Sequence, residues 1–139
     1  MQIFIHRILD SKALWIVARV LLVVIFLSSG LAKLIDFEGG LAEMRSAGLH
    51  PPIFFNIATI ITLLTGSFLI LMNRCVWLAS GALSIFMLLT ILIVHTFWHN
   101  PVEGFEVALF FALEHVTVVG GLIMATIVSR MKEKEQGLK

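Results

Sequence analysis

Charge is what this chain has least of. Asp, Glu, Lys and Arg make up 14% of its 139 residues, against about 25% in a soluble domain. Apolar residues make up 59%, above the usual 45–50% or so, and the mean hydropathy is +1.01. Such a chain has too little polar surface to stay in water, so it reads as a one-domain integral membrane protein. The net charge of +1 and the absence of a basic stripe exclude nucleic acid as a partner. Cysteine is nearly absent: Cys75 stands alone, so neither an internal disulfide nor a Cys-x-x-Cys redox pair can form. No Ser/His/Asp triad, phosphate loop, nucleotide fingerprint, internal repeat or low-complexity tract is present.

What is there is four long apolar runs. The expected fold is all-α: a polytopic, antiparallel bundle of four transmembrane helices with a short amphipathic helix between the first two spans. Residues 1–13 form an amphipathic lead-in, 14–128 the membrane domain and 129–139 a charged tail. The first span runs from about Leu14 to Ile35. Its basic start and the small residues Ser28-Ser29-Gly30 also suit a signal peptide, but a run this long favours a retained helix. In the following connection Asp36 suits a helix N-cap and Gly48 a C-terminal cap. The second span, about Ile53 to Met72, carries small and hydroxyl residues that allow close helix packing. Asn73-Arg74 forces the second and third spans to be antiparallel neighbours. The third span runs from about Cys75 to His95 or Trp98, and the fourth from Phe105 to Val128. Lysine and arginine near the span ends place Arg7, Lys12, Arg74, Arg130, Lys132, Lys134 and Lys139 on one side, and Lys33 and Arg45 on the other. Both termini are therefore expected in the cytoplasm.

The intramembrane polar candidates are Glu114, His115, His95, Arg19 and Lys33. A carboxylate at the depth of Glu114 costs roughly 2.5–3.5 kcal/mol on insertion scales, so it should face protein or trapped water and have a partner. Such a residue either pins the bundle register or handles a proton or ligand. At ~1.5 Å per residue it lies about 13 Å from the outer end of its helix, which puts Arg19 and Lys33 at other levels and His95 nearer. Arg19 either snorkels to the headgroups or points inward to form a site; Lys33 snorkels. His115 shares a helix face with Ala108, Ala112 and Val119 and suits a helix interface. His95 and His99, at i and i+4, could place two imidazoles on one helix face for a metal, though no Glu lies between them and Pro101 follows closely enough to end the helix early. His95 and His115 are expected at depths too different for a bis-histidine haem. Phe105, Phe110 and Phe111 suit a lipid- or core-facing stripe better than a quinone slot.

Several loose motifs recur in a recognisable order: Ala18-Arg19, Phe26, Ser29-Gly30-Leu31-Ala32-Lys33, Phe37-Glu38-Gly39, Met44, Gly48 and Pro51-Pro52. His95-Thr96-Phe97-Trp98 and Val116-Thr117-Val118-Val119-Gly120-Gly121 follow. Over roughly residues 18–128 this pattern resembles the DoxX family of small bacterial membrane proteins. Two positions depart from it. Relatives often carry an acid before the glycines of the second span, where this chain has Leu63-Leu64-Thr65-Gly66, and a basic or amide pair where Glu114-His115 stand.

The resemblance implies a four-helix bundle in the bacterial inner membrane, with some members tied to quinone-linked sulfur oxidation or oxidative stress. The leading expectation is an accessory, non-catalytic subunit of a redox or respiratory membrane system, working as a homo-oligomer or in a larger complex. A quinone-coupled oxidoreductase, with quinone as the cofactor and Glu114 with His95 or His115 as its ligands, is the alternative. A small proton-coupled transporter is a third, disfavoured by the lack of a broken helix.

Overall fold

The computed structural model describes residues 2–98, 102–135 and 137. Among these there are six helices and no strand: α1 (Gln2–Leu9), α2 (Lys12–Ile35), α3 (Phe37–Ser46), α4 (Pro52–Leu71), α5 (Val76–Ile93) and α6 (Val102–Glu135). Four of them, α2, α4, α5 and the stretch Gly104–Glu135 of α6, are long and apolar enough to cross a bilayer. The protein is thus a four-span membrane protein, with α3 as the short helix between the first two spans.

Local chemistry sets the breaks between helices. Ser11 caps α2, its Oγ accepting from the Leu14 amide at 3.1 Å. Asp36 joins two helices: its amide donates to Ala32 at 2.8 Å, and its carboxylate accepts from the Gly39 amide at 2.9 Å to start α3. Gly48, at φ +72°, ends α3, with the Leu49 amide reaching back to Met44 at 2.9 Å in a Schellman closure. The same closure ends α4, with Asn73 at φ +54° in the glycine position and Arg74 donating to Leu69 at 3.0 Å. The bundle turns back there at once.

Two ends differ from expectation. α5 stops at Ile93, so His95 lies off the helix; the Val94 and His95 amides both donate to the Thr90 carbonyl, at 2.8 and 3.0 Å. α6 runs on past Val128 to Glu135, so most of the charged tail is helical. Its 34 residues span about 51 Å, against a hydrocarbon core of about 30 Å.

Packing runs α2 on α4, α4 on α5 and α5 on α6, with α2 and α6 only lightly joined. The core is built from Val23, Phe26, Leu63, Ile70, Leu83 and Leu122 among others. Glycine permits the closest approaches: a Cβ on Gly30 would meet Leu64 at 2.8 Å, and one on Gly66 would meet Leu83 at 2.8 Å. A polar clasp holds one end of the bundle. Arg19 Nη1 donates to the carbonyls of Ile70 and Leu71 at 3.2 and 2.9 Å, and the Ser129 hydroxyl donates to the Asn73 side chain at 3.3 Å.

Candidate functional site

At the opposite end α3 lies across α2 and α4. Gly40 makes that docking possible, since a Cβ there would stand 2.5 Å from the side-chain amide of Asn56. Asn56 is fully buried and donates to the Phe37 carbonyl at 3.4 Å, tying the start of α3 to α4. Beneath α3 a cavity of about 470 Å³ opens between the helices. That volume lies within the 300–1,000 Å³ or so typical of small-molecule pockets.

The cavity walls are mostly apolar: Ile25, Phe26, Leu63, Phe86, Met87 and Ile93 surround its body. Polar groups stand at its edges. On the α2–α3 side Lys33 is ion-paired with Glu43, with Ser29 nearby in the wall. His95 and His115 also line the cavity, their rings edge to face with centroids 4.9 Å apart. His95 also stacks on Phe111 at 5.0 Å. Burial, reinforced by His115, lowers the basicity of the His95 imidazole, and the Glu114 charge partly offsets this. His115 is 8% exposed, and its Nδ1 is buried without a hydrogen-bond partner among the described residues. A buried polar atom left in this state is destabilising by about 1–3 kcal/mol, so a ligand that bonds it gains correspondingly.

The five intramembrane candidates divide between the two ends. Lys33, His95 and His115 line this cavity. Arg19 is in the clasp at the other end, pointing inward and not snorkelling: it is 8% exposed, caps the last carbonyls of α4 and lines a smaller groove between α2 and α6. Glu114 is exposed and is not among the residues of the cavity wall, contrary to the expected inward-facing carboxylate. The reason is rotational: one residue on, His115 takes the inward position with Ala108 and Ala112, both buried on the same face.

Depth was also misjudged. Lys33 and His115 border one cavity, and His95 meets His115 ring to ring. The early end of α5 brings His95 down to the level of α6 at Phe111 and His115. The depth objection to a bis-histidine haem therefore fails, although the two rings touch each other rather than flank a gap. The early end also removes the helical i, i+4 spacing on which a His95–His99 metal pair depended, and His99 lies outside the described residues. Among the described residues no group of three His, Cys, Asp or Glu is placed to hold a metal ion.

Sequence reasoning missed Glu43, Ser29, Thr59 and Thr90 as wall residues. Nothing local distinguishes Glu43 from a solvated acid on an amphipathic helix; its role depends on α3 folding back over Lys33. Asn56 lies near the start of the second span, and a buried amide at the start of a span is the signal that something docks there.

The DoxX family profile matches residues 14–96, which takes in α2 through α5 and ends just before α6. No curated protein matches the chain, and no solved structure does.

Proposed function

This chain belongs to the DoxX family, and from that premise we propose that it is an accessory subunit of a redox or respiratory system of the bacterial inner membrane, one that holds a quinone head group in the cavity beneath α3. The observation that supports this reading is the buried, unpartnered Nδ1 of His115 on the wall of an apolar cavity of about 470 Å³. A quinone ring is flat and apolar with a hydrogen-bond acceptor at each end. The cavity has the matching character: an apolar body with donor groups on its wall, His95 and His115 beside α6 and Lys33 from α2.

The fit is chemical as well as spatial. Each imidazole carries one donor and one acceptor when neutral, so it can bond either the carbonyl of a quinone or the hydroxyl of a quinol. Bound there, the quinone supplies a two-electron redox couple. The protein's part is to bind and orient the ring, exclude water and hold a proton at an imidazole nitrogen. Lys33 is already paired with Glu43, so it contributes a donor without leaving an isolated charge in an apolar site.

The test is a titration of the detergent-purified protein with a short-tailed benzoquinone, followed by quenching of tryptophan fluorescence. Saturable binding is expected, weakened about tenfold or more in His115→Leu and little changed in Arg19→Lys, which alters the far end. Non-saturable partitioning, identical in all three proteins, would remove the quinone reading. The subunit role is tested separately by native mass spectrometry after gentle extraction from the native membrane. A stoichiometric second polypeptide or a symmetric oligomer supports it, and a chain always monomeric and alone counts against it.

A further inference from the structure

The geometry points to a route into this cavity: a lateral slot between α2 and α6, open to the bilayer, so that the ligand is an amphiphile dissolved in the membrane and not a solute from water. The inference rests on the binding role proposed above and adds how the ligand arrives. α2 and α6 are only lightly packed on each other, far less than α2 on α4 or α5 on α6. They run antiparallel, since the start of α2 and the end of α6 both meet the α4–α5 turn, and Trp15 and Leu22 of α2 line one groove with Gly121 and Val128 of α6. They meet closely at Leu22, whose Cδ1 would stand 3.1 Å from a Cβ on Gly121.

Beyond that contact the two facing stripes separate. Ser29 and Lys33 follow Leu22 by seven and eleven residues, which keeps them on the same side of α2. They border the cavity. Glu114 precedes Gly121 by seven residues, so it lies on the α2-facing side of α6, about 10 Å farther along. Because the helices are antiparallel, Ser29 and Glu114 are at matching levels, yet Glu114 is exposed and, among the described residues, His115 is the one from α6 that borders the cavity. Two stripes that touch at Leu22–Gly121 thus part at Ser29–Glu114. The water-facing end is covered by α3, whose Glu43, Met44, Ser46 and Ala47 are part of the cavity wall. Met44 is buried there, and the Lys33–Glu43 ion pair fastens α3 to α2.

This arrangement gives Glu114 a place that bundle packing alone does not. An exposed carboxyl at membrane depth is unfavourable against lipid, but at the edge of the slot it is the first polar group that an entering head group meets.

The experiment uses the full chain in phosphatidylcholine vesicles, with Cys75 replaced by serine. The probe is a benzoquinone with a lipophilic tail, added in the bilayer, and the readout is the rate of saturable capture. A short thiol-specific crosslinker bridges Ser29→Cys to Glu114→Cys across the slot, or Phe37→Cys to Asn56→Cys across the α3 side, where neither residue lines the cavity. Each variant is compared with itself before crosslinking, so loss of the original side chains cancels. Bridging the slot is expected to slow capture about tenfold or more, and bridging α3 to change it less than about twofold. Ser29→Trp, which fills the slot without a crosslink, should slow capture as well. Undisturbed capture after complete crosslinking of the slot overturns the route, as does a block produced by the α3 bridge alone. Absence of saturable binding in the unmodified protein overturns the binding role itself, and the route with it.

Discussion

Arg19 shows how a single charged residue can be stable inside an apolar bundle. The last carbonyls of a helix have no partners within it, and the C-terminal end of the helix dipole favours a cation. Arg19 meets both conditions at the end of α4, with Nη1 on Ile70 and Leu71, Nε on its own Trp15 carbonyl at 3.4 Å, and the guanidinium 5.2 Å from the Trp15 ring. Arg19→Leu therefore strands the Leu71 carbonyl, while the Ile70 carbonyl keeps the Asn73 amide at 3.1 Å, and is expected to lower stability by about 1–3 kcal/mol. Arg19→Lys should fall between, because an ammonium lacks the planar fork. Denaturant unfolding in micelles measures both; equal stability in all three would show that the carbonyls find other partners. None of this is legible locally, since the partners lie 51 and 52 positions along the chain. The same holds for the site. The sequence names Lys33, His95 and His115 as polar residues in an apolar setting, but not Glu43. It favours Glu114 over His115, because a charge is conspicuous in a sequence while the rotation of a helix by one residue is not.

Helix packing turns on where a side chain is absent. At Gly66 an added Cβ would meet the Leu83 side chain at 2.8 Å, with Leu83 itself fully buried, whereas at Gly81 it would meet nothing within 4 Å. Gly66→Val should separate α4 from α5 and destabilise by about 1–3 kcal/mol. Gly81→Ala should be neutral or stabilise by up to about 1 kcal/mol, because alanine loses less backbone entropy in a helix. Thermal unfolding in one detergent, with the two variants side by side, separates packing from propensity; matching shifts would refute the packing account. The elements were legible wherever composition or turn chemistry defines them. Four apolar runs mark the spans, Asp36 and Gly48 bracket α3, and Asn73 closes α4. The end of α5 was not legible. No breaker precedes Pro101, yet the helix stops at Ile93, where His95 leaves it to dock on Phe111 and His115. A tertiary contact, not a local signal, sets that boundary.

At the scale of the whole molecule the question is which way the bundle faces. The clasp of Arg19 with Leu71 and Ser129 with Asn73 gathers the start of α2, the α4–α5 turn and the end of α6 at one end. Lys12, Arg74, Arg130, Lys132 and Lys134 accordingly lie there, while Lys33 and Arg45 belong to the end covered by α3. Basic residues near span ends are retained on the cytoplasmic side, so the clasp is expected inside and the cavity in the outer half of the membrane. Cys75, the chain's one cysteine, is exposed beside Arg74 and reports on this without mutation. A membrane-impermeant maleimide should leave it unlabelled in intact cells stripped of outer layers, and label it in inverted vesicles. Ala42→Cys, on the exposed side of α3 in a Cys75→Ser background, should give the opposite pattern. If Cys75 reacts from outside, the bundle is inverted, and the cavity would face partners on the cytoplasmic side. If both positions react from one side, an even number of spans between them is required, against the single crossing that α4 makes here.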